Sequence, residues 1–213
     1  MESVRKGRSL PEGAEEEMVG AGVPGWYIES CKKIKYLFPK AHAVAYVMMA
    51  FRIAWFKVYY PLAFYAAYFY RRSQKGGFDA VLMTQGMEAI KANIEAIETN
   101  ENATDKDEDL LTTMEVVYEY YLRGFDFLPI DIYKSHATKF LVEDGKILPP
   151  FVAISGLGEN AAWDLMRGRE GKTFLSIEEV AAACPKVSKT HIQMLKDAGA
   201  FGSLPDTSQI SLF

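Results

Sequence analysis

Histidine and cysteine are scarce in this sequence, with 3 and 2 among 213 residues. His42, His136 and His191 stand apart with no ligand spacing, and no Cys/His or Ser/His/Asp constellation accompanies them. No metal site and no catalytic residue are therefore expected. Cys31 and Cys184 are too far apart to read as a disulfide framework and suit a reducing, cytoplasmic compartment. The basic N-terminus, MESVRKGRSLPEGAEEEM, has no apolar run behind it, which excludes a signal peptide. The aromatic stretch 41–70 is interrupted by Arg52, Lys57 and Pro61, so no run reaches the roughly 18–20 apolar residues of a bilayer span, and no membrane partner is expected.

The most telling absence is of acid. Between Ser30 and Phe78 there is no Asp or Glu, while Lys32, Lys33, Lys35, Lys40, Arg52, Lys57, Arg71, Arg72 and Lys75 are all positive. The formal net charge of -4 hides this partition, because the acid gathers at 12–17 and 95–109, where it reads as a solvated surface or a linker.

What is present is a globular composition, 49% hydrophobic and 24% charged. After the turn-rich Gly20–Gly25, apolar spacing predicts a helix over 26–36 ending at Phe38-Pro39, then one from Pro39 through Val58 and one from Leu62 to Arg71. Further helices are expected over 79–98 and 107–123, separated by a loop at 99–106. Two short apolar runs around Asp144-Gly145 predict a β-hairpin within 139–148. Helices follow at 159–168, 176–183 and 188–198, and no internal repeat is visible. The fold class is mainly α, with one short β-hairpin and a flexible C-terminal tail.

Three motifs carry chemistry. In Ile154-Ser155-Gly156-Leu157-Gly158-Glu159-Asn160-Ala161, two glycines precede a helix, leaving amide N–H groups open at its positive end. This is the pattern of a helix-hairpin-helix, which holds a sugar-phosphate backbone without reading sequence; a plain Gly-rich turn capping a helix has the same composition. Ser155, Gly156, Leu157, Gly158 and Asn160 are the DNA-binding candidates. The second motif is the terminal Gln209-Ile210-Ser211-Leu212-Phe213, two large apolar residues at the end of a tail that either invites a partner or packs back on its own domain. The third is the basic and aromatic run 32–57. On a helix from Pro39, His42, Tyr46, Met49 and Ile53 share one face with Arg52 and Lys57 at its edges. Met49 and Ile53 are expected in a core. Lys40, His42 and Arg52 suit phosphate contact, although His42 fits a structural role equally well.

The run Cys31-Lys32-Lys33-Ile34-Lys35-Tyr36-Leu37-Phe38-Pro39-Lys40-Ala41-His42-Ala43-Val44-Ala45-Tyr46, continued by 51–57 and Pro61-Leu62, closely resembles the fingers of PolC-type DNA polymerase III alpha subunits. Trp26-Tyr27-Ile28, Tyr133-Lys134-Ser135-His136-Ala137, Pro149-Pro150-Phe151 and the Gly156–Gly158 turn follow in that family's order, and the last five residues resemble its sliding-clamp peptide. Phe213 departs in being the chain end, where its carboxylate sits beside the pocket-filling ring. The resemblance implies fingers over 1–128, a helix-hairpin-helix duplex-binding domain over 129–205 and a clamp-binding tail over 206–213.

It implies nucleotide-facing roles for Lys40, His42, Tyr46 and Arg52, and clamp binding by Gln209, Ile210, Ser211, Leu212 and Phe213. The implied function is a portion of a template-directed DNA polymerase whose partners are duplex DNA, the incoming dNTP, the sliding clamp and the palm and thumb domains. The alternative is a non-catalytic DNA-binding module recruited by the clamp. In the resembled family the palm aspartates that hold two Mg2+ ions lie N-terminal to the fingers. This chain is expected to begin inside the fingers, to bind no cofactor and to extend no primer alone.

Overall fold

The computed structural model describes residues 2–208, which fall into two compact units, Met1–Trp55 and Phe56–Phe213. It is mainly helical with one two-stranded sheet, as the sequence predicts.

In the first unit α1 (Glu2–Arg5), α2 (Ala14–Gly20) and α3 (Gly25–Lys33) precede α4 (Lys40–Tyr59), whose last turn lies in the second unit. The acidic stretch 12–17 is not a linker. Glu15, Glu16 and Glu17 form the first turn of α2, where the positive helix end favours acid, and Glu15 meets Lys32 of α3 at 2.7 Å. The third helix stops three residues short of the expected Tyr36, because the Leu37 N–H bonds the Arg5 carbonyl at 3.0 Å and draws the chain back to α1. Among the described residues of this unit only Val4, Ile28 and Cys31 are buried.

The long α4 buries none of its residues, and Met49 and Ile53, expected in a core, are 55% and 50% exposed. Arg52 and Lys57 do not interrupt it. At 20 residues, with an 18-residue window of mean hydropathy 1.2, it is long and apolar enough to cross a membrane by length and composition alone.

The second unit is built on α5 (Pro61–Ser73), with Pro61 at its first position, where a missing N–H leaves nothing unsatisfied. Tyr65 and Phe69 on one face of α5 enter an aromatic core. The Phe69 ring lies 5.1 Å from Phe78, 5.5 Å from Phe127, 5.8 Å from Tyr120 and 6.0 Å from Phe140. Burial pushes the Tyr121 phenol up to about 12, and its hydroxyl donates to the Met83 carbonyl at 3.0 Å.

The stretch 79–98, expected as one helix, is two: α6 (Ala80–Met83), capped by Asp79, and α7 (Met87–Glu98). Gly86 separates them at a φ of 97°, a conformation that side chains rarely adopt. A capping box between Thr104 and Asp107 starts α8 (Asp105–Leu122). At the far end of α8, Glu119 receives Lys57 at 2.7 Å and the Tyr65 hydroxyl at 3.0 Å, tying the last turn of α4 to α5 and α8. Burial pushes the Glu119 carboxyl up, but the Lys57 and Tyr65 hydrogen bonds outweigh it and hold it below the usual range.

Strands β1 (Leu141–Glu143) and β2 (Lys146–Leu148) pair antiparallel, Val142 opposite Ile147. Asp144 and Gly145 turn between them at φ 49° and 77°, the tight turn their sequence predicts. A 3-10 turn (Phe151–Ala153), α9 (Glu159–Gly168), α10 (Ile177–Ala183) and α11 (Lys189–Asp197) complete the unit.

Candidate nucleic-acid interface

The Ile154–Asn160 segment forms a tight turn between the 3-10 turn and α9. The Leu157 N–H bonds the Ile154 carbonyl at 3.1 Å and puts the Leu157 side chain into the core at 3% exposure. Burying Leu157 turns its neighbours outward, so Ser155, Gly156, Gly158 and Asn160 are all exposed. Gly156 has φ 89°, and a side chain there would stand 2.9 Å from Cε of Met194 on α11. Gly158 caps α9 with an ordinary φ of -71° and nothing within 4 Å of where its side chain would be. Among the described residues the amides of Gly156, Gly158, Glu159 and Asn160 take no hydrogen-bond partner. Four open donors around a helix N-terminus form a site for an anion the size of a phosphate.

A second turn of the same kind lies between α10 and α11, a repeat the sequence conceals because its residues differ. The Val187 N–H bonds the Cys184 carbonyl at 2.9 Å, Val187 is buried as Leu157 is, and Ser188 caps the next helix as Gly158 does. Here the donors are spent internally: the Lys186 amide on Asp164 at 2.7 Å and the Ser188 amide on Nδ1 of His191 at 3.2 Å. The glycine turn is the more open of the two.

The segment Tyr133–Ala137 supports the hairpin. The Asp131 carboxylate accepts the N–H groups of Tyr133 and Lys134 at 2.7 and 3.0 Å, while the Tyr133 hydroxyl receives the Phe174 amide at 3.0 Å. The His136 carbonyl accepts the Phe151 N–H at 3.0 Å, fixing the 3-10 turn ahead of the hairpin. The His136 ring packs edge-on against Trp163 of α9, and its Nδ1 accepts the amides of Thr138 and Lys139 at 3.0 and 3.1 Å. Burial, then the charges of Lys139 and Arg169, hold the imidazole below its ordinary value. The unfolded chain takes up this proton near pH 6.5, while the folded chain resists it to lower pH. Stability from this group is thus complete above that value and declines as pH falls below it. The urea midpoint is expected to fall between pH 7.5 and 5.5, and to fall less in His136→Asn, which keeps an acceptor without the titration. An equal fall in both proteins would assign the dependence to other groups.

Of the nucleotide-facing candidates, His42 and Tyr46 meet edge-on at 4.6 Å, and Phe38 extends the ladder at 4.9 Å from His42. Lys40 leaves α4 about 160° around the axis from His42, and Arg52 about 80° from it on the other side, by the helical repeat. All four are exposed, but the helix does not gather them on one face. The pentapeptide Gln209–Phe213 lies outside the described residues. Among those described, no three His, Cys, Asp or Glu side chains gather to hold a metal, so the residues present do not fit a Mg2+ pair and no phosphoryl-transfer step is derived from them.

Beside the hairpin opens a cleft of about 360 Å³ that sequence reasoning missed, because its walls come from three distant segments. Phe78, Leu82, Leu110, Val152, Ile154 and Leu157 give its apolar lining, and Ser73, Asp79, Lys106 and Ser155 its polar side chains.

The turn lies between helical segments as in a helix-hairpin-helix, and residues 124–209 match the helix-hairpin-helix motif family. Along its whole length the chain is similar to PolC-type DNA polymerase III: 51% identical over 215 residues to that of Thermotoga petrophila and 50% over 214 to that of Bacillus cereus. That of Clostridium perfringens is 49% identical over 214 residues. The family resemblance seen in the sequence is borne out from end to end, while the chain spans 15% of the length of these curated relatives.

Proposed function

We propose that this chain is a C-terminal portion of a bacterial replicative DNA polymerase, gripping the primer-template duplex without reading its sequence. The observation that carries the reading is the Gly156–Asn160 turn, whose open amides match a phosphate backbone, in a chain alike throughout to PolC-type relatives. Within it, 129–205 is the duplex-binding domain and 1–128 the fingers, in which Lys40, His42, Tyr46 and Arg52 face the incoming dNTP. The exposed apolar side of α4 suits the palm and thumb of the complete enzyme, and the chain works in the cytoplasm. Gln209, Ile210, Ser211, Leu212 and Phe213 attach it to the sliding clamp.

The test is fluorescence anisotropy of a labelled primed duplex across a salt series, with and without a bacterial sliding clamp. Binding is expected to weaken steeply with salt, to be indifferent to DNA sequence and to tighten with clamp. Deleting Leu212 and Phe213 should remove the clamp effect and leave DNA affinity within about twofold. A folded chain that binds no duplex, or only particular sequences, overturns the reading; a clamp effect that survives the deletion overturns the tail assignment.

A further inference from the structure

The chain ahead of the terminal pentapeptide is fastened to the second unit. Ala200 and Phe201 are buried, the backbone turns at Gly202 with φ 56°, and Leu204 packs against the core. The Pro205 carbonyl then accepts the Ile177 N–H at 2.9 Å, and the Asp206 carbonyl accepts the Glu178 N–H at 3.2 Å. These are the first two amides of α10, which find no partner inside the helix. The third, of Glu179, goes to the Ser176 hydroxyl at 3.4 Å. Lys196 of α11 pairs with the Asp206 carboxylate. Peeling this segment away would strip the Ile177 and Glu178 amides of their acceptors, and Ile177 is buried, so Leu204 to Asp206 belongs to the fold.

Thr207 is still half-buried, and only Ser208 separates it from Gln209. An extended chain advances at most about 3.6 Å per residue, so a partner that grips Gln209 by hydrogen bonds is brought to within about 10 Å of Thr207. A standard interface covers about 800 Å² on each partner, a patch of roughly 16 Å radius. Within that reach of Pro205 stands Leu175, two residues ahead of the Ile177 amide and 67% exposed. The Leu175 N–H donates to the Glu179 carboxylate at 2.7 Å, so the backbone that presents this apolar side chain is fixed.

We propose that the sliding clamp docks directly on this surface, covering Leu175, with the fastened segment 204–206 setting its orientation. The proposal rests on the reading of Gln209–Phe213 as the clamp peptide and adds to it a second contact, on a folded surface. The clamp is the occupant because Thr207 and Ser208 are too short a spacer to hold it clear of α10.

The test measures binding of the whole chain to a purified bacterial sliding clamp by biolayer interferometry. Leu175→Glu is expected to weaken clamp binding roughly tenfold, the effect of losing one buried leucine contact, while its circular dichroism and duplex affinity stay those of the wild type. A flexible Gly-Ser insert of about ten residues between Ser208 and Gln209 frees the peptide from the fastened segment. It should weaken binding to a similar extent, and Leu175→Glu added to the insert should then cost less than about twofold. Deleting Leu212 and Phe213 should abolish binding in every background. Clamp affinity unchanged in Leu175→Glu, with the deletion still abolishing it, would overturn the docking contact and leave the tail reading standing. Affinity that survives the deletion would overturn the tail reading, and the docking contact with it.

Discussion

Gly158→Leu is expected to lose duplex affinity by about ten- to a hundredfold while keeping its fold. The position has the ordinary φ of -71° and open space where the side chain would project, so leucine fits without strain. That open space is where a phosphate must come to meet the amides of Gly158, Glu159 and Asn160. Losing one charge-assisted hydrogen bond to a phosphate removes roughly 1.5–3 kcal/mol, which sets the expected factor. Exchanging glycine for leucine at a helix N-cap costs the fold only about 1 kcal/mol. Gly156 is the less informative site: its φ of 89° and the approach of Met194 mean that any substitution also strains the turn. The variant is read by anisotropy beside a circular dichroism spectrum. Wild-type affinity in a folded Gly158→Leu would sink the assignment of the turn to DNA.

The parts legible in the sequence were those fixed by local chemistry. Pro39 and Pro61 bracket α4, Asp144-Gly145 makes the β-turn, Ser176 and Ser188 cap α10 and α11, and the glycine pair opens α9. What tertiary contact decides was hidden. The early end of α3 follows from a backbone bond to Arg5, and the division of 79–98 from a backbone conformation at Gly86. Periodicity alone predicted burial of Met49 and Ile53, yet an apolar stripe says only that a face wants a partner, and among the described residues none covers it. The same limit applied to the aromatics of 55–70, where Tyr65 and Phe69 are buried while Trp55, Phe56, Tyr59 and Tyr60 are exposed. The hairpin half of the candidate site is contiguous in sequence and could be read there. The cleft beside it joins Ser73, Lys106 and Leu157 across more than eighty positions, and no spacing rule reports that.

Phe69→Ala is expected to destabilise the second unit by about 3–5 kcal/mol, a large share of the 5–15 kcal/mol that typically holds a domain. Phe69 is fully buried, and its ring meets six others: Tyr65, Tyr68, Phe78, Tyr120, Phe127 and Phe140. These rings come from α5, the turn before α6, α8, and the segments on either side of Tyr133, so one truncation loosens several elements at once. Tilted and edge-on pairs each add about 0.5–1.5 kcal/mol beyond the area they bury, which puts the loss at the upper part of the range. Phe69→Leu keeps most of the volume and should cost less than half as much. Urea unfolding followed by near-ultraviolet circular dichroism, which reports packed aromatics, measures both. Because Tyr70 and Ser73 of the same helix line the depression beside the hairpin, Phe69→Ala should also weaken duplex binding at urea concentrations where the wild type still binds. A loss below about 1 kcal/mol would mean that the rings are not packed as a unit and that α5 is held in place instead by its polar contacts to α8, Tyr65–Glu119 and Arg72–Asp109.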